Sequence, residues 1–154
     1  MILLPYTRLH PDTARLADEH APGHIRARID PGDDFAYWEL LAAAWRETGD
    51  LLVIEHDVGI HADVVPGLTA CRRPWCGHPY LTGSQRLIAL GCTRFTAELK
   101  TAEPDLLDLV GQDGTGGLPA RHWARLDVRI LDELHRRGYE QHEHTPDVIH
   151  YHAY

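Results

Sequence analysis

A single-domain α/β fold, with a mostly parallel sheet flanked by helices, is predicted by three observations. Short apolar runs alternate with helical patterns over the first third of the chain, in the order strand, helix, strand, helix, strand. The run Leu51-Leu52-Val53-Ile54 is apolar without interruption, as a strand covered on both faces requires. Acidic residues follow the ends of the second and third of these strands, where open sheets of this kind hold their ligands.

The elements follow in order. Ile2-Leu3-Leu4 reads as a short buried strand closed by Pro5. Pro11 to His20 reads as a helix, with Pro11 at its first position. His24 to Asp30 alternates apolar and polar residues and ends in the turn Asp30-Pro31-Gly32-Asp33-Asp34. Phe35 to Thr48 is the clearest helix: alanine and leucine favour it, Asp33 or Asp34 can cap it, and Gly49 follows it. The third strand, Leu51 to Ile54, runs into Glu55-His56-Asp57.

The middle is less regular. His61 to Cys71 reads as a short helix broken near Pro66-Gly67, and Arg72 to Ser84 as a loop rich in glycine, proline and aromatic residues. Arg86 to Cys92 is expected to form a fourth strand, and Arg94 to Gly111 one or two helices with a break at Pro104. Gln112 to Pro119 reads as a flexible glycine-rich loop. A long amphipathic helix follows; Trp123, Leu126, Ile130, Leu131 and Leu134 line one face and Gly138 ends it. The tail carries His142, His144, His150 and His152.

With 154 residues the chain fits one domain, residues 1–154, and can bury a core without staples. Its net charge of -8 argues against a broad basic surface, so a nucleic-acid partner finds no support in composition. Three cysteines, an odd count, with no secretion signal point to a reducing, cytoplasmic setting, and no stretch is long enough to cross a membrane.

Four groups of residues carry chemistry. In an extended strand Glu55 and Asp57 point to one face, where two carboxylates suit a hard divalent cation that holds phosphate oxygens; the alternative is a solvated strand end. His150 and His152 share one side of an extended tail and can complete the shell of a transition metal, or simply face water. Cys71, Cys76 and His78, with Cys92 nearby, form a loosely spaced candidate for structural zinc, against the alternative of buried thiols. Asp127, early in the long helix, can serve as a general base or as an acid favoured by the helix dipole.

Read in order, these pieces resemble the glycosyltransferases of the GT-A fold, a Rossmann-like architecture, and most closely the family 2 type, in a shortened form. Residues 2–20 look like the first strand and helix, whose junction meets the nucleotide, which implies a pocket at Pro5, Tyr6 and Thr7. Asp30 falls where the second strand's terminal acid contacts the base. Glu55-His56-Asp57 stands where the family carries its metal-binding Asp-x-Asp motif, so Glu55 and Asp57 match the two acids. Asp127 matches the second acid of a pair that supplies the base in inverting members, with Leu126 in place of the first. His150, with His152 close behind, matches a metal-binding histidine.

The resemblance implies a hexosyltransferase-type enzyme. Its cofactor would be Mn2+ or Mg2+, its donor a nucleoside-diphosphate sugar, and its acceptor a hydroxyl. Trp75 and Trp123 are candidates for stacking on a sugar ring. Two other readings stay open: a non-catalytic nucleotide- or metal-binding module on the same fold, and a small zinc-stabilised interaction protein built on the cysteine loop.

Overall fold

The computed structural model describes residues 1–82, 84–87, 90–110 and 121–151. The expected loop Gln112 to Pro119 and His152 lie outside the described residues. The order along the chain is β1 (Ile2–Tyr6), α1 (Pro11–His20), β2 (Ile25–Arg28), α2 (Ala36–Arg46), β3 (Leu51–Ile54), β4 (Val58–Gly59) and α3 (Val64–Ala70). Then come β5 (Trp75–Gly77), β6 (Tyr80–Thr82), β7 (Gln85–Leu87), β8 (Cys92–Phe95), α4 (Ala97–Ala102), α5 (Leu106–Leu109), α6 (Trp123–Arg136), β9 (His142–Glu143) and β10 (Ile149–His150).

Six strands form one sheet in the order β2-β1-β3-β8-β5-β9. The β1–β2, β1–β3 and β5–β9 pairs are parallel, while β8 runs antiparallel to both β3 and β5. The sheet is therefore mixed α/β and mostly parallel, with its parallel block at the N-terminal side. Two small antiparallel pairs, β4–β10 and β6–β7, lie outside it.

Strand β3 explains its own composition. Leu51 and Val53 enter one core with Leu41, Trp45, Phe95, Leu126 and Ile130; Leu52 and Ile54 enter another with Val64, Leu68, Cys76 and Val148. Both faces are covered by helices, so every position must be apolar. Each fully buried side chain here contributes about 1.5–3 kcal/mol of transfer free energy.

The helix ends follow local chemistry. His10 caps α1 by accepting the Asp12 N–H on Nδ1, and Pro11 takes the first position, where no N–H partner is needed. For α2, Asp33 accepts the Phe35 N–H in a tight turn one residue ahead of the helix, and no side-chain cap follows. At the other end of α2 the chain's single lysine, Lys100, donates to the carbonyls of Ala44, Glu47 and Gly49 at 3.2, 2.7 and 2.8 Å. A buried ammonium meets three carbonyls there, where the helix dipole favours a cation.

Several expectations are corrected. The loop expected at residues 72–84 contains β5 and β6. The fourth strand of the sheet, expected at Arg86 to Cys92, is β8, which starts only at Cys92; β7 forms a separate hairpin with β6. Helix α3 is not broken at Pro66-Gly67, because Pro66 sits in its first turn, where its missing N–H costs nothing. On α6, Leu126, Ile130 and Leu134 are buried as expected, but Trp123 is 59% exposed. Among the described residues, no helix is long and apolar enough to cross a membrane.

Candidate functional site

The carboxyl ends of parallel β1, β2 and β3 open into a cavity of about 530 Å³. One wall is Pro5, Tyr6 and Thr7 at the end of β1; another is Ile29 to Pro31 after β2. Glu55, His56 and Asp57 follow β3, and Trp123, Ala124 and Asp127 come from the first turns of α6. Tyr37, on the first turn of α2, closes the floor. The strand β3 ends at Ile54, and Val58 N–H bonds back to the Glu55 carbonyl at 3.1 Å, so residues 55–58 make a turn. Glu55 and Asp57 thus reach the same cavity from a turn, not from the alternation of a strand.

The sheet brings Pro5, Tyr6, Thr7, Asp30, Glu55, Asp57 and Asp127 to this one space. Asp30 is held in its turn by accepting the Gly32 N–H at 2.9 Å. Glu55 accepts the Tyr37 hydroxyl at 2.7 Å. Burial pushes the Glu55 carboxyl up to about 7; the Tyr37 hydrogen bond works against this, and the charges of Asp57 and Asp127 add to it. Asp127 is also raised by burial, against a hydrogen bond from the Val128 N–H at 2.7 Å. Tyr37 is held well above the usual phenol range, by burial first and by Glu55 next.

The tail arrives by a different route. Strand β10 pairs antiparallel with β4, placing His150 opposite Val58, and the Tyr151 N–H donates to the Asp57 carbonyl at 2.8 Å. This register leaves His150 Nε2 3.3 Å from Asp57 Oδ2. His56 Nε2 is 3.9 Å from the same oxygen. Tyr80 stacks on the His150 ring with centroids 4.7 Å apart, and Tyr151 stacks on His10 at 4.0 Å. Gly59 is what lets the tail lie so close: a Cβ there would stand 2.6 Å from the Tyr151 hydroxyl.

The cysteine candidate is corrected. Cys71 and Cys76 gather with His144, not with His78, and their donor atoms lie within 4.8 Å of one another. His78 instead has Nδ1 2.8 Å from the Pro146 carbonyl. Among the described residues this is the one group of three such donors at that reach. Trp75 is 2% exposed in the core and cannot meet a ligand, whereas Trp123 stands on the cavity wall.

Sequence reasoning missed Tyr37, Tyr80 and Tyr151. Tyr37 sits in the apolar run that makes α2, where a tyrosine reads as core. Only the packing of α2 against β3 aims its hydroxyl at Glu55.

No protein-family model matches this sequence, and no curated protein matches it. The solved structures that it is similar to include two. One is described as a glycosyltransferase involved in the glycosylation of the major capsid of PBCV-1; it matches with a TM-score of 0.61 and 11% identity, over 99% of this chain and 92% of that one. The other is the protein A197 from STIV, with a TM-score of 0.48 and 8% identity over 99% and 94% of the two chains. The chain has a mixed α/β fold similar to that of the first of these structures.

Proposed function

We propose that the chain is a metal-dependent glycosyltransferase of the GT-A type. It moves a sugar from a nucleoside-diphosphate sugar to an acceptor hydroxyl, with inversion. The observation that carries this reading is the meeting of Asp57 and His150, distant in sequence, at 3.3 Å beside a cavity that also holds Asp30, Glu55 and Asp127. The likeness in fold to a glycosyltransferase supports it.

The donor pair fits a divalent cation. A carboxylate oxygen and an imidazole nitrogen bound side by side at about 2.1 Å from one Mn2+ or Mg2+ stand roughly 3 Å apart. Asp57 and His150 would hold the ion; Glu55 does not lie within 4.8 Å of both and would join them only after its side chain turns, and His152 would be the next donor along the tail. When bound, the cation supplies Lewis acidity that neutralises charge on the departing diphosphate.

The chain's own groups do the rest. Asp30 accepts a hydrogen bond from the base, and Pro5, Tyr6 and Thr7 wall the nucleotide pocket. Asp127 takes the proton from the acceptor hydroxyl as its oxygen bonds to the anomeric carbon. The bond from that carbon to the phosphate oxygen breaks, and its electron pair leaves with the nucleoside diphosphate. Burial raises Asp127, which strengthens it as a base. Trp123 offers a ring face to the acceptor or sugar.

A thermal-shift screen of nucleotide sugars and free nucleotides, with and without Mn2+, tests binding, because a ligand of the folded state raises its melting temperature. A metal-dependent shift with one nucleoside diphosphate is expected. The absence of any shift across the set would refute the site. A second reading, a binding module without turnover, draws on Leu126, which is fully buried where the resemblance expects an acid. Slow hydrolysis of the donor separates the two, since a pure binder leaves the donor intact.

A further inference from the structure

We propose that Cys71, Cys76 and His144 form a second metal site, for zinc or another thiophilic cation, that fastens the C-terminal segment to the sheet. This rests on no part of the glycosyl-transfer reading, and the two sites share no residue.

Three separate elements bring the donors together. Cys71 is the residue that ends α3, Cys76 is the middle residue of β5, and His144 follows β9. The parallel β5–β9 pairing sets Cys76 opposite His142, and the His144 N–H donates to the Gly77 carbonyl at 2.9 Å. Backbone hydrogen bonds thus fix the place of the imidazole before any ion binds. The donor atoms lie within 4.8 Å of one another. Tetrahedral zinc with bonds of about 2.1–2.3 Å needs its donors roughly 3.5–3.8 Å apart, so the side chains have only a short way to close.

The chemistry of the surroundings agrees. The His144 Nε2 is buried with no hydrogen-bond partner, which is costly for an imidazole nitrogen that binds nothing. Two thiolates balance the charge of a divalent ion, so the loaded site is neutral, as its position against the core formed by Cys76, Cys92 and Leu68 demands. Arg94 adds no unpaired charge nearby: it donates to the Cys71 carbonyl at 2.7 Å and is paired with Asp50 at 2.7 Å. Thiolate and imidazole donors select zinc over the hard cations that suit Asp57. Cys71 and His144 are only half-buried, so the fourth position opens to water.

The ion would close a long loop, joining residues 71 and 76 to residue 144. Closure of a loop that long removes freedom from the unfolded chain, and binding energy becomes folding energy. The anchored segment leads directly to β10 and His150.

The test uses the full chain. Metal analysis after expression with zinc is expected to find the ion in stoichiometric amount. Replacement by Co2+ should give the thiolate-to-cobalt charge-transfer band in the near ultraviolet, a signature that needs no variant. Cys71→Ser and His144→Ala, both at half-buried positions, should lose the band and weaken zinc about 100-fold or more. His142→Ala, whose ring stands 5.0 Å from that of His144, should keep both. Any one of three results would overturn the proposal: wild-type protein that takes up neither ion, equal loss in His142→Ala, or a Cys71–Cys76 disulfide found by thiol titration of freshly purified protein.

Discussion

Asp57, on the wall of the cavity, meets His150 beside it, whereas Cys71 and Cys76 meet His144 next to the core on the other part of the sheet. The first place is rich in carboxylates at the ends of parallel strands, and its acids repel one another when nothing lies between them. The second holds thiols, and burial pushes that of Cys76 up to about 12, so it is neutral until a metal takes its proton. The difference teaches what each site tolerates when empty. An oxygen site facing solvent can exchange its ion and admit a diphosphate, while a half-buried site with two sulfur donors suits an ion that stays.

The largest expected effect comes from the residue that touches neither set of metal donors. Asp127→Asn keeps the shape of the cavity and removes the proposed base. Turnover should fall by about 10²–10⁴-fold while nucleotide affinity, read by calorimetry, stays within twofold or so. Full residual turnover would reject Asp127 as the base. Asp57→Ala comes next. It should weaken metal-dependent binding of a nucleoside diphosphate by about 100-fold and leave the cobalt–thiolate band untouched. Unchanged calorimetric affinity would refute the carboxylate site, and loss of the band would show that the two regions are not independent.

How much of this was legible depended on how far each signal reached along the chain. The β3 run was plain because two cores bury its two faces, so nothing polar interrupts it. The acids after β2 and β3 were plain for the same reason: the chain turns sharply polar where the sheet ends. Strand β8 was placed too early because Thr93 and Arg94 look out of place in a buried strand. Their partners, the Cys76 carbonyl and Asp50, are invisible in sequence. Strands β5 and β6 have three residues each, too few to display a period of two. Trp123 has an apolar side chain at the right helical spacing, but the first turn of α6 overhangs the cavity and meets no core. His78 suggests itself because it is near Cys76 in sequence; the parallel β5–β9 pairing, formed across most of the C-terminal half, brings His144 instead.

Glu55 gives the comparison a pH axis. Its folded-state carboxyl sits near 7, against an ordinary value of 4.5. A raised value means that the folded state favours the protonated form. Its contribution is fully present below about 4.5 and is lost as the pH rises through about 7. Glu55→Gln should therefore stabilise the metal-free protein by about 3 kcal/mol at pH 8 and change little at pH 4. Chemical denaturation with a chelator present measures this. Equal effects at both pH values would show that Glu55 is raised no more than a surface glutamate. Mn2+ affinity should rise with pH up to about 7 and then level off, because a carboxylate that joins the ion must first lose its proton.

The smallest effect sharpens the same point. The Tyr37 hydroxyl donates to Glu55 at 2.7 Å and is the one influence that favours its charged form. Tyr37→Phe removes that donor without changing the ring that packs on the core. The hydrogen bond contributes about 0.5–1.5 kcal/mol net, or somewhat more for an ionised acceptor, so the loss in stability should be small. The informative reading is the midpoint of the pH dependence of Mn2+ affinity. With the hydroxyl gone, Glu55 holds its proton to higher pH, and the midpoint should move in the alkaline direction while the affinity at pH 9 recovers. If Tyr37 served only to pack α2 against the sheet, the variant would lose stability uniformly and leave the midpoint where it was. The thiol site gives the internal control. It has no link to Tyr37, so its cobalt band in the variant should match that of the unsubstituted chain at every pH.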